Sequence, residues 1–210
     1  MSDPADRRPI ASRNTAFARR ITGFLVRRNL TPNAISMLSM AAAAVAGLAF
    51  ACAGGHWAGL ILAALACQMR LLCNLFDGLV AVEGGKGGPD GPFWNEAPDR
   101  ISDLLIFAGL GWAVGRPDLG YLAGALAVLT AYIRELGRAN GAGNDFSGPF
   151  AKPQRMALVT LAAVVQALVL LAGSELPVLL WALWILLAGT ALTVLRRSWR
   201  QIRQLGSLPR

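Results

Sequence analysis

The sequence predicts an all-α integral membrane protein with six transmembrane helices, preceded by an amphipathic N-terminal helix at the membrane surface. Of its 210 residues, 55% are hydrophobic and only 15% are charged, which is more apolar than an ordinary soluble domain. Several uncharged runs are long enough to cross the roughly 30 Å hydrocarbon core of a bilayer. Arginines crowd both ends of the chain. Basic residues that flank apolar spans predict contact with the lipid bilayer rather than with nucleic acid.

The N-terminal region is expected to lie outside the membrane core. Residues 1–9 are polar and predicted to be disordered, whereas residues 10–28 place apolar side chains at roughly helical intervals among arginines. That pattern is typical of an amphipathic helix in the bilayer interface. Thr31 can cap a helix and Pro32 suits its first turn, so the first transmembrane helix is expected to begin here.

The apolar runs divide into six spans. Between residues 29 and 68 the only titratable side chain is His56, and this run is about twice the length of one crossing. The break at residues 54–56 therefore separates two spans, with His56 as a loop residue. We treat residues 10–195 as a single membrane domain and residues 196–210 as a basic cytoplasmic tail. The predicted spans are 34–54, 57–82, 92 or 98 to 115, 119–137, 156–173 and 177–195.

The positions of the basic residues predict the orientation of these spans. Both termini and the polar loops 83–96 and 138–155 hold nearly all the lysine and arginine outside the spans, and the opposite turns offer only Arg116. The positive-inside rule places both termini in the cytoplasm. We expect the inner membrane of a bacterium, with the polar ends of spans two, three and four lining one cavity that opens to the cytosol.

Polar residues within the second and third spans mark the candidate site. Arg70, Asn74 and Asp77 share one helix face, and Asp99 and Asp103 lie one turn apart. Such residues cost several kcal/mol in hydrocarbon unless they face a polar cavity. Carboxylates and carboxamides suit Mg²⁺ or Mn²⁺ that hold a phosphate or pyrophosphate. Neither a phosphate-binding P-loop motif nor a G-x-S-x-G serine motif is present.

Two stretches resemble a known family, the CDP-alcohol phosphotransferases, also called CDP-alcohol phosphatidyltransferases. Residues 74–99 are similar to the family signature D-x2-D-G-x2-A-R-x8-G-x3-D-x3-D, and residues 30–36 (LTPNAIS) to its L-T-P-N-x-I-T stretch before the first span. The resemblance covers almost the whole chain. It implies six spans, an amphipathic N-terminal helix and a cytosolic active site.

The resemblance also implies a reaction in phospholipid biosynthesis. A phosphatidyl group would pass from a CDP-linked lipid such as CDP-diacylglycerol to an acceptor alcohol, with release of CMP. Two ions of Mg²⁺ or Mn²⁺ would be held by five residues: Asn74, Asp77, Asn95, Asp99 and Asp103. One of these, Asp99 or Asp103, would also be the catalytic base. Small residues would let the nucleotide approach the helices; they are Gly78, Ala81 and Gly91, with Asn33 nearby. The alternative for the glycines is tight helix packing.

The chain departs from the signature at three positions. Asn74 replaces the first aspartate and Val82 replaces the arginine. Two alignments of the second half remain open. The glycine spacing takes Gly91, Asn95 and Asp99 as the last three signature positions, with Asn95 in place of the third aspartate and Asp103 extra. The other takes Asp99 and Asp103 as the two aspartates, which requires a four-residue insertion and places Asn95 at the glycine position. Both retain Asp99, and the first is preferred.

Cations that flank the loop after the fourth span are candidates for binding a phosphorylated acceptor, such as glycerol 3-phosphate. These candidates, with the adjacent acidic residue, are Arg134, Glu135, Lys152 and Arg155. Their charges would clamp a phosphate, or they would only mark topology. Arg70 would replace the missing arginine, or it would form a salt bridge to Asp77 or to an aspartate of span three. A homodimer through span three or four is expected from the resemblance.

Two other functions are weighed against the enzyme. A catalytically impaired relative would bind CDP-lipid or act as a scaffold, and the asparagines at positions 74 and 95 and Val82 motivate that alternative. A small transporter is disfavoured because the polar residues cluster at one membrane face and not at the midplane.

Overall fold

The computed structural model describes residues 15–53 and 55–207. Within these ranges every regular element is an α-helix, and there are seven: α1 (Ala16–Arg27), α2 (Pro32–Ala51), α3 (Trp57–Glu83), α4 (Gly91–Ala113), α5 (Pro117–Ala139), α6 (Lys152–Leu171) and α7 (Val178–Gly206). The all-helical prediction is confirmed. The stretch 1–9 predicted to be disordered, the first residues of the interfacial helix, Gly54 and residues 208–210 lie outside the described residues.

Local sequence signals set the start of α2 as predicted. The Thr31 hydroxyl accepts a hydrogen bond from the Ala34 backbone N–H at 3.2 Å, and Pro32 is the first residue of the helix. A threonine in this position satisfies one of the otherwise unpaired N–H groups of the first turn. Asn29, with φ of 60°, lies in the short turn between α1 and α2.

Among the described residues, five helices are long and apolar enough to cross a membrane: α2, α3, α5, α6 and α7. These helices support the predicted membrane class of the fold. The remaining long helix, α4, carries Glu96, Asp99, Arg100 and Asp103 within its first thirteen residues. Because of those charges α4 is not among the five apolar helices, although its 23 residues are long enough to cross a bilayer.

The last helix is longer than predicted. The sixth span was placed at 177–195, but α7 continues through the arginine-rich segment to Gly206. Arg197 and Gln201 are only 5% and 4% exposed, so this segment packs against the bundle. Helix contacts, and not apolar composition, determine where α7 ends.

The six long helices form a closed ring. Around the ring, α2 contacts α3, α3 contacts α6, α6 contacts α7, α7 contacts α5, α5 contacts α4, and α4 returns to α2. The α1 helix lies against α3. Fully buried apolar side chains fill the centre of the bundle, among them Ile106, Phe107, Leu110, Met156 and Leu183. One end of the ring is therefore apolar inside, and the charged residues collect at the other.

Glycines hold α4 close to both of its neighbours. A Cβ atom on Gly109 would overlap the backbone of Gly47 in α2, and a Cβ on Gly111 would overlap Gly120 in α5. Such close backbone approach is a common mode of helix packing in membranes. The position of α4, which carries the two aspartates of interest, is thereby set from both sides.

We expect Gly109→Ala to lower the thermal unfolding temperature, because the added methyl group must push α4 away from α2. Overpacking of this kind costs about 1–3 kcal/mol. The matched control is Gly143→Ala in the loop before α6, where a Cβ would meet nothing within 4 Å. Thermal unfolding in detergent measures both variants, and equal unfolding temperatures would contradict this account of the α2–α4 contact.

Candidate active site

Charged side chains from three helices meet inside one end of the ring. Arg70 of α3 reaches Asp99 and Asp103 of α4, and α6 contributes Lys152 and Arg155. The polar faces of the predicted second and third spans therefore do face one another. All five residues are at least largely buried, with side-chain exposure no greater than the 17% of Lys152.

Asp103 is held between two arginines. Its Oδ1 accepts a hydrogen bond from Arg70 Nη2 and its Oδ2 one from Arg155 Nη2, each at 2.8 Å. The side chains of Asp103 and Arg70 are 0% exposed, and that of Arg155 is 2% exposed. Of the alternatives for Arg70, the salt bridge to aspartates of span three is the one observed. The three residues link α3, α4 and α6, and both oxygens of Asp103 are occupied.

Asp99 lies one helical turn nearer the polar end of α4. Its Oδ1 is 3.5 Å from Arg70 Nη2, and its Oδ2 contacts the ammonium group of Lys152. The side chain is 8% exposed. Asp99 therefore has a longer contact with Arg70 than Asp103 has, and its side chain is slightly exposed, whereas that of Asp103 is fully buried.

Asp77 approaches the same region from α3. Its Oδ2 accepts a hydrogen bond from Ser36 Oγ at 2.8 Å, and its Oδ1 accepts one from the Gly78 backbone N–H at 2.6 Å. It lies within electrostatic range of Asp99 and Lys152. Sequence reasoning missed the role of Ser36, although this residue closes the LTPNAIS stretch one turn after Pro32.

The two signature asparagines lie about one helical turn before these carboxylates in the chain, Asn74 before Asp77 in α3 and Asn95 before Asp99 in α4. Asn74 is half-buried and Asn95 is exposed. No group of three or more His, Cys, Asp or Glu side chains able to hold a metal ion occurs among the described residues. An oxygen-rich set of Asp77 and Asp99 with the carboxamides nevertheless suits a hard divalent cation. The donors fit such an ion, with fewer charges than four carboxylates would provide.

A cleft of about 460 Å³ lies between the turn that joins α1 to α2 and the loop before α4, and its lining includes Asn33, one of the residues expected to contact the nucleotide. Asn33 Nδ2 donates a hydrogen bond to Asp90 Oδ2 at 3.1 Å across it. A Cβ atom on Gly91 would meet nothing within 4 Å. Tight helix packing therefore does not explain Gly91, and the space above it is open to a ligand. Gly78 and Ala81 are half-buried on the neighbouring turns of α3.

The basic residues on the other side of the cavity are extensively paired. Arg134 Nη2 lies 2.5 Å from Glu96 Oε2 and 2.9 Å from Glu135 Oε1, and its guanidinium group lies over the Phe146 ring. Arg155 Nε has no hydrogen-bond partner in the described part of the chain. Sequence reasoning missed Glu96, whose spacing of four from Arg100 was the available signal; those two side chains pair at 2.6 Å.

The loop between α5 and α6 is held by the extension of α7. Arg197 donates to the Ser147 carbonyl and to the Thr130 carbonyl, both at 2.8 Å. Burial opposes ionisation of Asp145, but hydrogen bonds from Ser147 and the nearby Arg200 and Arg197 outweigh it, so the pKa of Asp145 is lowered. The segment predicted as a tail thus positions the loop that leads to Lys152.

Comparisons with known proteins point to one group of enzymes. No family model matches the chain. The phosphatidylinositol phosphate synthase of Mycolicibacterium smegmatis is 28% identical over 194 residues, which cover 86% of this chain and 82% of that protein. The enzyme of the same name from Mycobacterium marinum is 31% identical over 186 residues, which cover 83% and 77%.

Solved structures show the same fold. The crystal structure of the Mycobacterium tuberculosis phosphatidylinositol phosphate synthase with CDP-DAG bound matches with a TM-score of 0.75 at 24% identity, over 90% of this chain and 94% of that one. A second crystal structure of that protein, in complex with manganese and citrate, also has a TM-score of 0.75 at 24% identity, over 90% and 89%.

Asp103→Asn is expected to destabilise the protein strongly, because it leaves the Arg70 and Arg155 guanidinium groups buried without their counter-charge. Breaking a buried ion pair typically costs about 3–5 kcal/mol. The matched control is Asp118→Asn, which disrupts the exposed pair with Arg116, and exposed pairs contribute about 0–1 kcal/mol. Chemical or thermal unfolding in detergent compares the two. A similar, small effect of both substitutions would show that the buried cluster does not stabilise the bundle.

Proposed function

The chain belongs to the CDP-alcohol phosphotransferase family, and from that premise we propose that it transfers a phosphatidyl group from CDP-diacylglycerol to an acceptor alcohol with release of CMP. The single observation that carries the assignment is that two acidic residues of the signature, Asp77 of α3 and Asp99 of α4, come within electrostatic range of each other inside the bundle. The protein is thus a metal-dependent transferase of phospholipid synthesis.

The acceptor is proposed to be a phosphorylated polyol. The relatives are named for their product, phosphatidylinositol phosphate. Transfer of a phosphatidyl group to an inositol phosphate yields that product, so we favour an inositol phosphate over glycerol 3-phosphate as the acceptor. Both share a phosphate group beside free hydroxyls.

A divalent ion, Mg²⁺ or Mn²⁺, would be held by oxygen atoms of Asp77 and Asp99 with the carboxamide oxygens of Asn74 and Asn95. When bound, the ion would supply positive charge that polarises the pyrophosphate and neutralises the charge on the departing phosphate. The manganese in the structure of the M. tuberculosis protein supports this proposal.

Asp99 is proposed to act as the general base. Its carboxylate takes the proton from the acceptor hydroxyl, whose oxygen attacks the lipid-side phosphorus. The bond from that phosphorus to the bridging oxygen breaks, and CMP leaves with the bridging oxygen. Asp103 is unsuited to this step because it is fully buried and each of its oxygens accepts a bond from an arginine. We infer that Asp103 positions α4.

The pairing of Asp103 also favours the alignment based on glycine spacing. In that alignment Gly91, Asn95 and Asp99 occupy the last three signature positions, and Asp103 is an additional residue. An aspartate enclosed by Arg70 and Arg155 has no free oxygen with which to hold a metal ion. The open space at Gly91 supports the same alignment.

Arg134 and Arg155 are proposed to attract the acceptor phosphate, with Glu135 orienting Arg134. The unpaired Arg155 Nε and the unpaired Nε and Nη1 of Arg70 are buried donors, and buried donors without partners are costly unless a ligand satisfies them. Lys152, which the sequence groups with these acceptor cations, contacts Asp99 instead.

We further propose that α4 is a sixth membrane crossing and that α1 lies in the interface. The charged residues of α4 face partners inside the ring, such as Arg70 and Arg134, so a bilayer outside would meet its apolar face. Phe17 and Phe24 of α1 are 63% and 49% exposed, as suits an interfacial helix. Both termini and the site would face the cytoplasm of a bacterial inner membrane.

A homodimer is proposed through the outer faces of α4 and α5. These faces expose large apolar side chains, among them Ile101, Trp112, Tyr121, Leu122 and Tyr132. The faces lie opposite the catalytic cavity, so a second copy there would leave the site accessible.

Purified protein with CDP-diacylglycerol and Mg²⁺ or Mn²⁺ is expected to release CMP when an inositol phosphate is added, and much more slowly with glycerol 3-phosphate or unphosphorylated inositol. Asp99→Ala should lower the rate of CMP release by about 10²–10⁴-fold, the range for loss of a general acid–base group. Asp77→Ala, which removes a proposed metal ligand, should lower it by a similar factor. Chromatographic measurement of CMP gives the rate.

Asp118→Ala, at the opposite end of the bundle from the site, serves as the control and should leave the rate unchanged. Unchanged rates in both site variants would overturn the proposed mechanism. Binding of CDP-diacylglycerol without CMP release under either metal would instead support the catalytically impaired relative that Asn74, Val82 and Asn95 suggest.

A further inference from the structure

We propose that Lys152 takes the place of one of the two divalent ions that four signature aspartates would hold, so that this chain binds a single ion per site. The proposal rests on the function proposed above and deepens it. It arises from one juxtaposition: the ammonium group of Lys152 contacts Asp99 Oδ2.

The acidic residues available for metal are few. Asp103 is occupied by two arginines, and positions 74 and 95 are asparagine. Asp77 and Asp99 are left as the carboxylates of the metal site. The number of charged ligands is a main determinant of affinity for hard divalent cations. Four carboxylates balance the charge of two dications, whereas two carboxylates balance only one.

Lys152 is placed to supply the charge that the second ion would otherwise provide. It is the first residue of α6, and its side chain is 17% exposed at the cavity. It lies within electrostatic range of Asp77, Asp103 and Arg70 as well as Asp99. An ammonium group is a compact point charge with three donors, so it can satisfy Asp99 and still face a phosphate oxygen.

Arg70 does not provide this charge equally well. Its Nη2 is 3.5 Å from Asp99 but 2.8 Å from Asp103, so its main partner is Asp103. The lysine and the two asparagines therefore compensate one another in charge. The two asparagines remove two negative charges from the signature, one dication is no longer bound, and Lys152 adds one positive charge.

Counting bound Mn²⁺ tests the inference without reference to activity. Wild-type protein in nanodiscs of neutral lipid is titrated with Mn²⁺, and bound ion is measured by electron paramagnetic resonance. We expect one tight ion per chain in the wild type and one in Asn74→Asp/Asn95→Asp. Adding Lys152→Met to that double variant should raise the count to two. Two tight ions in the wild type, or in the double variant that retains Lys152, would overturn the proposal.

The rate of CMP release separates this inference from the proposed function. Lys152→Met should lower the rate by about 10²-fold, as for removal of a preorganised electrostatic contact, and Arg116→Met is the control for loss of a cation far from the site. CMP release with two bound ions would refute the lysine role and leave the function intact. One bound ion without CMP release would refute the function and support the lysine role. Where Lys152→Met fails to fold, the counts for the wild type and the double aspartate variant decide.

Discussion

The arrangement of this protein depends on a buried carboxylate shared by two buried arginines. Asp103 of α4 pairs with Arg70 of α3 and with Arg155 of α6 inside a ring whose remaining interior is largely apolar. Charges in such surroundings are stable only when paired and hydrogen-bonded. Because α4 is not the ring neighbour of α3 or α6, the cluster joins helices across the cavity. It therefore sets the distance between the walls of the active site.

The proposed chemistry lies one helical turn from that cluster, toward the N-terminus of α4. Asp99 lies on the same helix face as Asp103, and Asp77 is oriented by a hydroxyl group from α2. Both oxygens of Asp103 are bound to arginines, so this residue holds α4 in place. Asp99 contacts Lys152 and lies farther from Arg70, and it is the residue proposed to accept a proton. Two residues that look equivalent in the sequence thus have different proposed roles because their surroundings differ.

Much of the fold could be predicted because its signals are local. The length of the apolar runs indicated where helices α2, α3, α5 and α6 lie, and Thr31 with Pro32 marked the start of α2. The end of α7 could not be predicted from hydropathy, because Arg197 and Gln201 are buried by contacts with distant segments. The α4 helix lies where the third span was placed, but the partners of its charged residues lie on other helices and could not be predicted.

For the site, the sequence by itself determined the candidates: Asp77, Asp99 and the two signature asparagines. Residue type and helical spacing place them on shared helix faces, because residues three or four apart share a face, and the resemblance to a known signature supplied the family. Only the tertiary structure decided the pairings. It directed Arg70 and Arg155 to Asp103, Lys152 to Asp99 and Ser36 to Asp77. Those partners lie far apart in the chain, and the order of helices around the ring, which no local pattern encodes, brings them together.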